Sequence, residues 1–285
     1  MKILVTGHKG FVGSHFYNKL NTPENEIYGV DLKENGIDCR RIFEASSVTF
    51  DLVIHCAAIV GGRENIEGNP LAVATNFSID SEFFQWCLKT RPKKVVYFSS
   101  SAVYPIAYQL EGNSWKLRED MASHHSPKKP DMTYGYSKLI GEYLASFVEN
   151  VYVFRPFSGY GEDQDLVYPF PAFVSRAKHR NDPFEVWGSG EQTRDFIHID
   201  DIVEAVLTAV NLDVRGPINL GWGRSTSFLE LANMVCKEVG YEPKIITRPD
   251  KPVGCKYRVS DNSKLLSFYT PKITLEEGIW RALNA

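Results

Sequence analysis

Cysteine is scarce in this sequence, and its few cysteines show no paired spacing. The 285 residues contain five cysteines and no Cys-x-x-Cys motif: Cys39, Cys56, Cys87, Cys236 and Cys255. An odd, scattered set suits neither a disulfide framework nor a structural zinc site. We therefore predict free thiols in a reducing cytoplasm and no metal site.

The sequence also has no long apolar run and no large excess of acidic or basic residues. No apolar stretch approaches the roughly 18 residues that a membrane-spanning helix requires, and residues 1–7 are typical of a strand that enters a glycine turn rather than of a signal peptide. The 35 acidic and 32 basic side chains leave a formal net charge of −3. These absences argue against a membrane anchor and against nucleic acid as a partner.

The chain is long enough for two domains, and it begins with a predicted strand, a glycine-rich turn and a helix. Its 285 residues suffice for a large α/β domain and a smaller second one. Residues 2–5 form a predicted strand, and residues 6–13 follow as Thr-Gly-His-Lys-Gly-Phe-Val-Gly. Gly7 permits a tight turn, Gly10 leaves room for a pyrophosphate, and Gly13 lets the next helix pack on the strand.

This turn predicts a dinucleotide site. Free N–H groups at the helix start, at Phe11 and Val12, suit phosphate oxygens. The next predicted strand ends at Asp31, and an acid about 20 residues beyond the glycines is the expected ligand of a ribose hydroxyl. Because a 2′-phosphate would meet a like charge, Asp31 favours NAD over NADP, although Lys9 or Lys33 could reach such a phosphate.

Three further residues are candidates for the cofactor site. Asp38 either accepts a hydrogen bond from the adenine amine or caps a helix that begins near Arg40. Ala57 and Ala58 end a predicted buried strand. They either let the dinucleotide pass close to the backbone or simply pack in the core.

A Tyr-x-x-x-Lys pair lies in the middle of the chain. Residues 133–147 predict an amphipathic helix, on which Tyr134 and Lys138 share one face. The ammonium and the positive end of the helix dipole would both lower the pKa of the tyrosine, so that it exchanges a proton with a sugar hydroxyl. The other interpretation is a surface tyrosine beside a helix lysine.

A serine cluster follows the predicted strand at 94–98. One of its hydroxyls would lie at the ligand-binding edge of the sheet, or else the cluster would only form a turn.

Together these motifs resemble the NAD-dependent epimerase/dehydratase family, the extended short-chain dehydrogenases that act on nucleotide sugars. The chain carries the glycine motif at 6–13, Asp31, Ser-Ser-Ser-Ala-Val-Tyr at 99–104 and Tyr134-x-x-x-Lys138 in the family's order. The resemblance implies an α/β fold: a Rossmann doubly wound parallel sheet with a smaller C-terminal α/β domain that binds a nucleotide-diphosphate sugar.

The resemblance also implies how the chain is divided. Residues 1–156, with 191–215 returning to them, would form the NAD-binding domain. Residues 157–190 and 216–285 would form the nucleotide-sugar-binding domain. A homodimer is the expected assembly.

Site residues follow from the resemblance as well. Ser100 would complete the catalytic set with the tyrosine and lysine, and Ser101 would meet the substrate. Pro156 would lie beside the nicotinamide, and Ser158 would meet the sugar nucleotide, although the family usually has Asn at that place.

The second half of the chain carries the expected phosphate ligands. Arg194 opens a segment similar to the family's Arg-Asp-Phe-x-His-x-x-Asp, and its planar guanidinium would clamp the diphosphate. Arg258 is a second candidate for this role, and its other interpretation is a surface salt bridge. Trp187 would pack either on the nucleoside or in the core.

The identity of residue 102 narrows the expected reaction. In the family, dehydratases have an acid pair where this chain has Ser101 and Ala102. Sugar-acid decarboxylases have glutamate in place of Ala102, and C3/C5 epimerases have cysteine there. Alanine moves no carbon-bound proton, so the resemblance favours a C4 epimerase that oxidises C4 and reduces it again.

Two alternatives stay open. Local motifs, including residues 7–10, 58–62 and 104–105, look most similar to the GDP-fucose synthase and GDP-mannose 3,5-epimerase groups. They favour a GDP sugar over a UDP sugar and keep a 4-ketosugar reductase or C4 oxidase as the first alternative. A non-catalytic nucleotide-binding regulator is the second, and the intact Ser-Tyr-Lys set argues against it.

Overall fold

The computed structural model describes residues 1–112 and 115–285. Its strands are β1 (Lys2–Thr6), β2 (Glu26–Val30), β3 (Leu52–His55), β4 (Lys94–Phe98), β5 (Val151–Pro156), β6 (Ser158–Tyr160), β7 (Phe184–Trp187), β8 (Thr193–Arg194), β9 (Phe196–His198), β10 (Ile218–Leu220), β11 (Thr226–Ser227), β12 (Ile245–Arg248) and β13 (Tyr257–Arg258).

The α-helices are α1 (Phe11–Leu20), α2 (Leu32–Asn35), α3 (Cys39–Ala45), α4 (Arg63–Gly68), α5 (Pro70–Val73), α6 (Thr75–Thr90), α7 (Met132–Ala145), α8 (Pro169–Lys178), α9 (Ile199–Asn211), α10 (Phe228–Val239), α11 (Ser263–Leu266) and α12 (Leu275–Asn284). Short 3₁₀ helices span Ser101–Val103, Ile106–Tyr108 and Glu119–Met121. Within the described ranges, no helix is long and apolar enough to cross a membrane.

A parallel six-stranded sheet forms the centre of the molecule. Its strand order is β10-β5-β4-β3-β1-β2, and every neighbouring pair is parallel. The order reverses between β1 and β3, and the crevice at the carboxyl ends of such strands is where open α/β sheets bind ligands. The predicted Rossmann doubly wound fold is therefore confirmed.

Both faces of this sheet are covered by helices. In β1, Ile3 and Val5 pack in the cluster that contains Phe16 of α1 and Val206 of α9, whereas Leu4 packs on the opposite face with residues of α6. This alternation follows from the two-residue period of a strand. It anchors α1 and α9 on one side of β1 and α6 on the other.

One strand lies where we did not expect it. Residues 216–285 were assigned to the smaller domain, yet Ile218 of β10 pairs with Phe154 of β5 in the large sheet. That assignment is wrong for β10, because its fully buried side chains complete the core at the edge of the large sheet.

The later part of the chain builds smaller sheets and a separate core. The small sheets have the orders β11-β8-β13, β12-β7 and β6-β9. Side chains of α8, α10 and α12 pack together in this core, represented by Phe173, Leu231 and Ile279. Apart from β10, the proposed division into two domains stays a proposal.

Candidate active site

The glycine turn connects β1 to α1 in the way that a dinucleotide site requires. Gly7 has a φ of +71° and donates its N–H to the Val30 carbonyl at 2.7 Å. A Cβ on Gly13 would lie 2.1 Å from the Gly7 carbonyl oxygen. Gly10 is the N-cap of α1 and has no side chain to cover the helix N–H groups. The helix start can therefore face phosphate oxygens directly.

Asp31 is held rigidly at the carboxyl end of β2. Its carboxylate accepts hydrogen bonds from the main-chain N–H of Lys33 at 2.8 Å and of Lys9 at 2.9 Å. The Lys9 ammonium pairs with Glu34 at 3.2 Å. Because two acids stand here and Lys9 is neutralised, the site favours a ribose hydroxyl over a 2′-phosphate.

Ser100, Tyr134 and Lys138 come together at the carboxyl edge of the large sheet. Tyr134 lies in the first turn of α7, and Lys138 follows one turn later on the same face. Ser100 stands just beyond β4, where its Oγ accepts from the Ala102 N–H at 3.1 Å, and its hydroxyl lies close enough to Tyr134 to lower the pKa of the tyrosine. The structure thus brings together the three residues that we predicted to be catalytic.

Arg194 and Arg258 are neighbours in the small three-stranded sheet. They occupy paired positions on the parallel strands β8 and β13, so their side chains leave the sheet on the same side. Arg258 donates to Asp131 at 2.6 Å and to Gln109 at 2.5 Å. Arg194 donates to main-chain carbonyls, including that of Cys255 at 2.9 Å. The Arg258–Asp131 ion pair is largely buried, so the alternative of a surface salt bridge does not apply to Arg258.

A third arginine joins this cluster, and sequence reasoning missed its role. Arg63, at the start of α4, donates to both Asp131 oxygens, at 2.8 and 2.9 Å. Burial works to raise the pKa of Asp131, but Arg258 and Arg63 hold it below its usual value. No sequence signal marks Asp131, because its partners lie 68 and 127 residues away.

Comparison with known proteins identifies the family. The profile of the NAD dependent epimerase/dehydratase family matches residues 3–221. The chain belongs to this family. It is an NAD-dependent enzyme of the nucleotide-sugar epimerase, dehydratase and reductase group.

Individual relatives differ in reaction and nucleotide. The enzyme is 29% identical to a putative UDP-glucose 4-epimerase of Methanocaldococcus jannaschii, with 99% of this chain and 97% of the relative covered. It is 29% identical to GDP-mannose 3,5-epimerase of Arabidopsis thaliana, covering 98% and 80%. It is 28% identical to dTDP-4-dehydro-6-deoxy-D-allose reductase of a Streptomyces species, covering 92% and 89%.

The fold is shared with solved structures of the family. UDP-glucose 4-epimerase of Thermotoga maritima, solved with UDP-glucose, superposes with a TM-score of 0.84, at 24% identity, over 100% of this chain and 98% of that one. At this identity the likeness shows the fold alone.

The remaining cofactor candidates of the family enzyme lie around the turn. Asp38 caps α3 through the Arg40 N–H at 3.0 Å and also pairs with the Arg40 side chain at 2.6 Å. Ala57 lies so close to the turn that a Cβ on Gly7 would be 2.7 Å from its nitrogen. Contacts of Asp38, Ala57 and the half-buried Ala58 with NAD stay predictions.

Four further candidates are Pro156, Ser158, Ser101 and Trp187. Pro156 ends β5, Ser158 begins β6, and Ser101 is buried in the 3₁₀ helix after Ser100. Trp187 ends β7 half-buried, with the Lys251 ammonium 5.6 Å above its ring. Their contacts with cofactor or substrate stay predictions, as do those of Phe11 and Val12.

The predicted lowering of the pKa of Tyr134 is wrong for this structure. Burial raises it to about 12, and the hydrogen bond from Ser100 acts in the opposite direction. The Asp80 carboxylate raises it further, because a negative charge nearby disfavours the phenolate.

The Gly13→Ala variant of this enzyme should no longer retain NAD through purification. The added methyl group would overlap the Gly7 carbonyl and push α1 away from the turn. Gly68→Ala is the matched control, because a Cβ on Gly68 meets nothing within 4 Å. NAD released from the purified proteins by denaturation can be quantified by absorbance. Equal NAD content in folded Gly13→Ala and Gly68→Ala would contradict this assignment.

Proposed function

We propose that this enzyme interconverts C4 epimers of a nucleotide-diphosphate sugar. The observation that carries the proposal is the Ser100–Tyr134 hydroxyl pair beside a residue that has no acid or thiol, Ala102. When bound, NAD accepts a hydride from the sugar carbon and later returns it.

The protein's part is to move one proton and hold the sugar. Because burial raises the pKa of Tyr134, its minor deprotonated form acts as the base. This phenolate takes the proton from the C4 hydroxyl while the C4 hydrogen leaves as hydride, so that C4 becomes a ketone. Ser100 hydrogen-bonds the same oxygen and shares its proton with Tyr134. After the ketone turns its other face, Tyr134 gives the proton back and the configuration at C4 is inverted.

Ala102 supports limiting the chemistry to C4. Its N–H is bonded to Ser100, and its carbonyl accepts from the Asp131 N–H at 2.8 Å. A buried methyl group is all that this position presents to the site. It cannot remove a proton from C3, C5 or C6, as dehydration or C3/C5 epimerisation requires.

The arginine cluster supports a diphosphate substrate. Arg63, Arg194 and Arg258 bring three positive charges to a site that contains the Asp131 carboxylate. Two carboxylates offset part of this charge, because Arg63 also pairs with Glu67. The positive charge that remains attracts a diphosphate, and guanidinium forks fit its oxygens.

A C4 epimerase should interconvert two C4 epimers without added cofactor. We expect the purified enzyme to retain NAD and to equilibrate a UDP- or GDP-hexose with its C4 epimer, as seen by chromatography. Screening both nucleotide series identifies the base. Failure to equilibrate any pair, with NAD retained, would contradict the proposal.

A 4-ketosugar reductase is the second candidate. The relatives that favour it include the dTDP-4-dehydro-6-deoxy-D-allose reductase and a GDP-L-fucose synthase at 26% identity. It requires net consumption of NADH or NADPH with a 4-keto sugar, which absorbance at 340 nm detects.

We also propose a homodimer formed through α6 and α7. These helices pack together, and α7 with its following turn carries exposed apolar side chains: Tyr136, Ile140, Tyr143 and Phe147. Location in the cytoplasm likewise stays a prediction.

A further inference from the structure

A buried carboxylate lies next to the catalytic lysine. Asp80 of α6 and Lys138 of α7 are 1% and 3% exposed, and their charged atoms are 4.0 Å apart. Burying two charges is costly unless they pair and find hydrogen bonds. Lys138 supplies the opposite charge, and Tyr97 donates a hydrogen bond to Asp80.

Tyr97 of β4 fixes the position of the pair. Its hydroxyl donates to Asp80 at 2.5 Å, and the Lys138 ammonium lies 4.9 Å from the centre of its ring. A Cβ on Gly141 would come within 2.7 Å of the carboxylate and still closer to the tyrosine oxygen. This crowding explains why α7 has glycine at that position.

His55 of β3 is a further neighbour of Asp80. Its Nδ1 is 2.7 Å from the Thr6 hydroxyl, which also accepts from the Ala57 N–H at 3.3 Å. The other ring nitrogen, Nε2, lies 3.4 Å from Asp80. Burial lowers the pKa of His55, so the ring is neutral and Lys138 supplies the positive charge.

The titratable groups around Asp80 come from three elements. They are His55 and Cys56 at β3, Tyr97 of β4, and Tyr134, Lys138 and Glu142 of α7. Burial works to raise the pKa of Asp80, but the Lys138 ammonium, the nearby His55 ring and the hydrogen bond from Tyr97 hold it below its usual value. Asp80 is therefore a carboxylate throughout the neutral range.

We propose that Asp80 is a positioning residue that holds the Lys138 side chain beside Tyr134 and sets the pH range in which the Tyr134–Lys138 pair works. This inference rests on the proposed catalytic role of that pair. A buried negative charge strengthens the binding of both protons that the pair can lose. Removing it weakens both, whichever residue loses its proton first.

The kinetic consequence is a displaced pH profile. Asp80→Asn keeps the shape of the side chain and removes the charge, so both limbs of the kcat/KM profile should move to lower pH by on the order of one unit. Asp213→Asn is the matched control. Asp213 also accepts from a tyrosine hydroxyl, that of Tyr152, at 2.5 Å, but it lies beyond α9 at the amino end of the sheet.

The test has a second arm that needs no substrate. Thermal unfolding of the wild type, Asp80→Asn, Lys138→Met and the double variant is measured at pH 6 and pH 9. A lone buried lysine can fold by releasing its proton, so Asp80→Asn should lose less Tm at pH 9 than at pH 6. The double variant should lose less than the sum of the single losses, because neither charge is then left alone.

The experiments distinguish failure of the Asp80 inference from failure of the proposed function. Unmoved limbs in Asp80→Asn, equal shifts in Asp213→Asn, or additive and pH-independent losses of Tm would overturn the inference. Absence of any turnover by the wild type would instead contradict the proposed function, and the unfolding arm would still decide the role of Asp80.

Discussion

Replacing Tyr134 with phenylalanine is expected to lower kcat about a thousandfold while nucleotide-sugar affinity is kept. The half-buried Tyr134 side chain lies beside Ser100, at the place where the C4 proton must be taken and returned. Phenylalanine keeps the ring that fills this space and removes the group that exchanges the proton. Steady-state kinetics and calorimetric binding of the nucleotide diphosphate measure the two effects separately.

Tyr136→Phe is the control for this substitution. Tyr136 lies two residues further on α7 and is 40% exposed, so the same loss of a hydroxyl should leave kcat unchanged. Turnover by Tyr134→Phe at the wild-type rate would show that another group exchanges the proton.

Replacing Arg258 with methionine should raise KM about a hundredfold, with a much smaller change in kcat. The guanidinium is oriented by Gln109 and Asp131 and stands beside Arg194, as a diphosphate ligand requires. Losing one partner of a largely buried charge pair typically costs 2–5 kcal/mol, and about 2.8 kcal/mol corresponds to a hundredfold. Calorimetric titration with UDP and GDP should show the same loss.

Arg118→Met provides the comparison for Arg258. Arg118 is exposed and pairs with Asp120 at 2.9 Å, so its loss should not alter KM. A fall in kcat of Arg258→Met with KM unchanged would argue that Arg258 acts on the reacting carbon instead of the diphosphate.

Local patterns predicted the parts of the site that a few neighbouring residues determine. The glycine turn, Asp31 at the end of β2 and Tyr134 in the first turn of α7 all lie where their motifs placed them. In each case the chemistry needs residues that are close in sequence. The parallel pairing of Arg194 with Arg258 could be expected only through the resemblance, because the two strands are far apart in the chain.

The features that the sequence did not predict depend on contacts between residues far apart in the chain or on burial. The bond from Arg63 to Asp131 and the pairing of Asp80 with Lys138 each join residues far apart in the chain. The high pKa of Tyr134 arises from burial, which a helix pattern does not report. The three residues of β10 carry no periodicity that assigns them to one sheet or the other.

Turnover in D₂O tests the C4 epimerase proposal most directly. A hydride held by bound NAD and returned to C4 never exchanges with solvent, so the epimerised sugar should contain no carbon-bound deuterium by mass spectrometry and NMR. Deuterium at C3 or C5 of the product would contradict the proposal, because it would show that the enzyme moves carbon-bound protons despite Ala102.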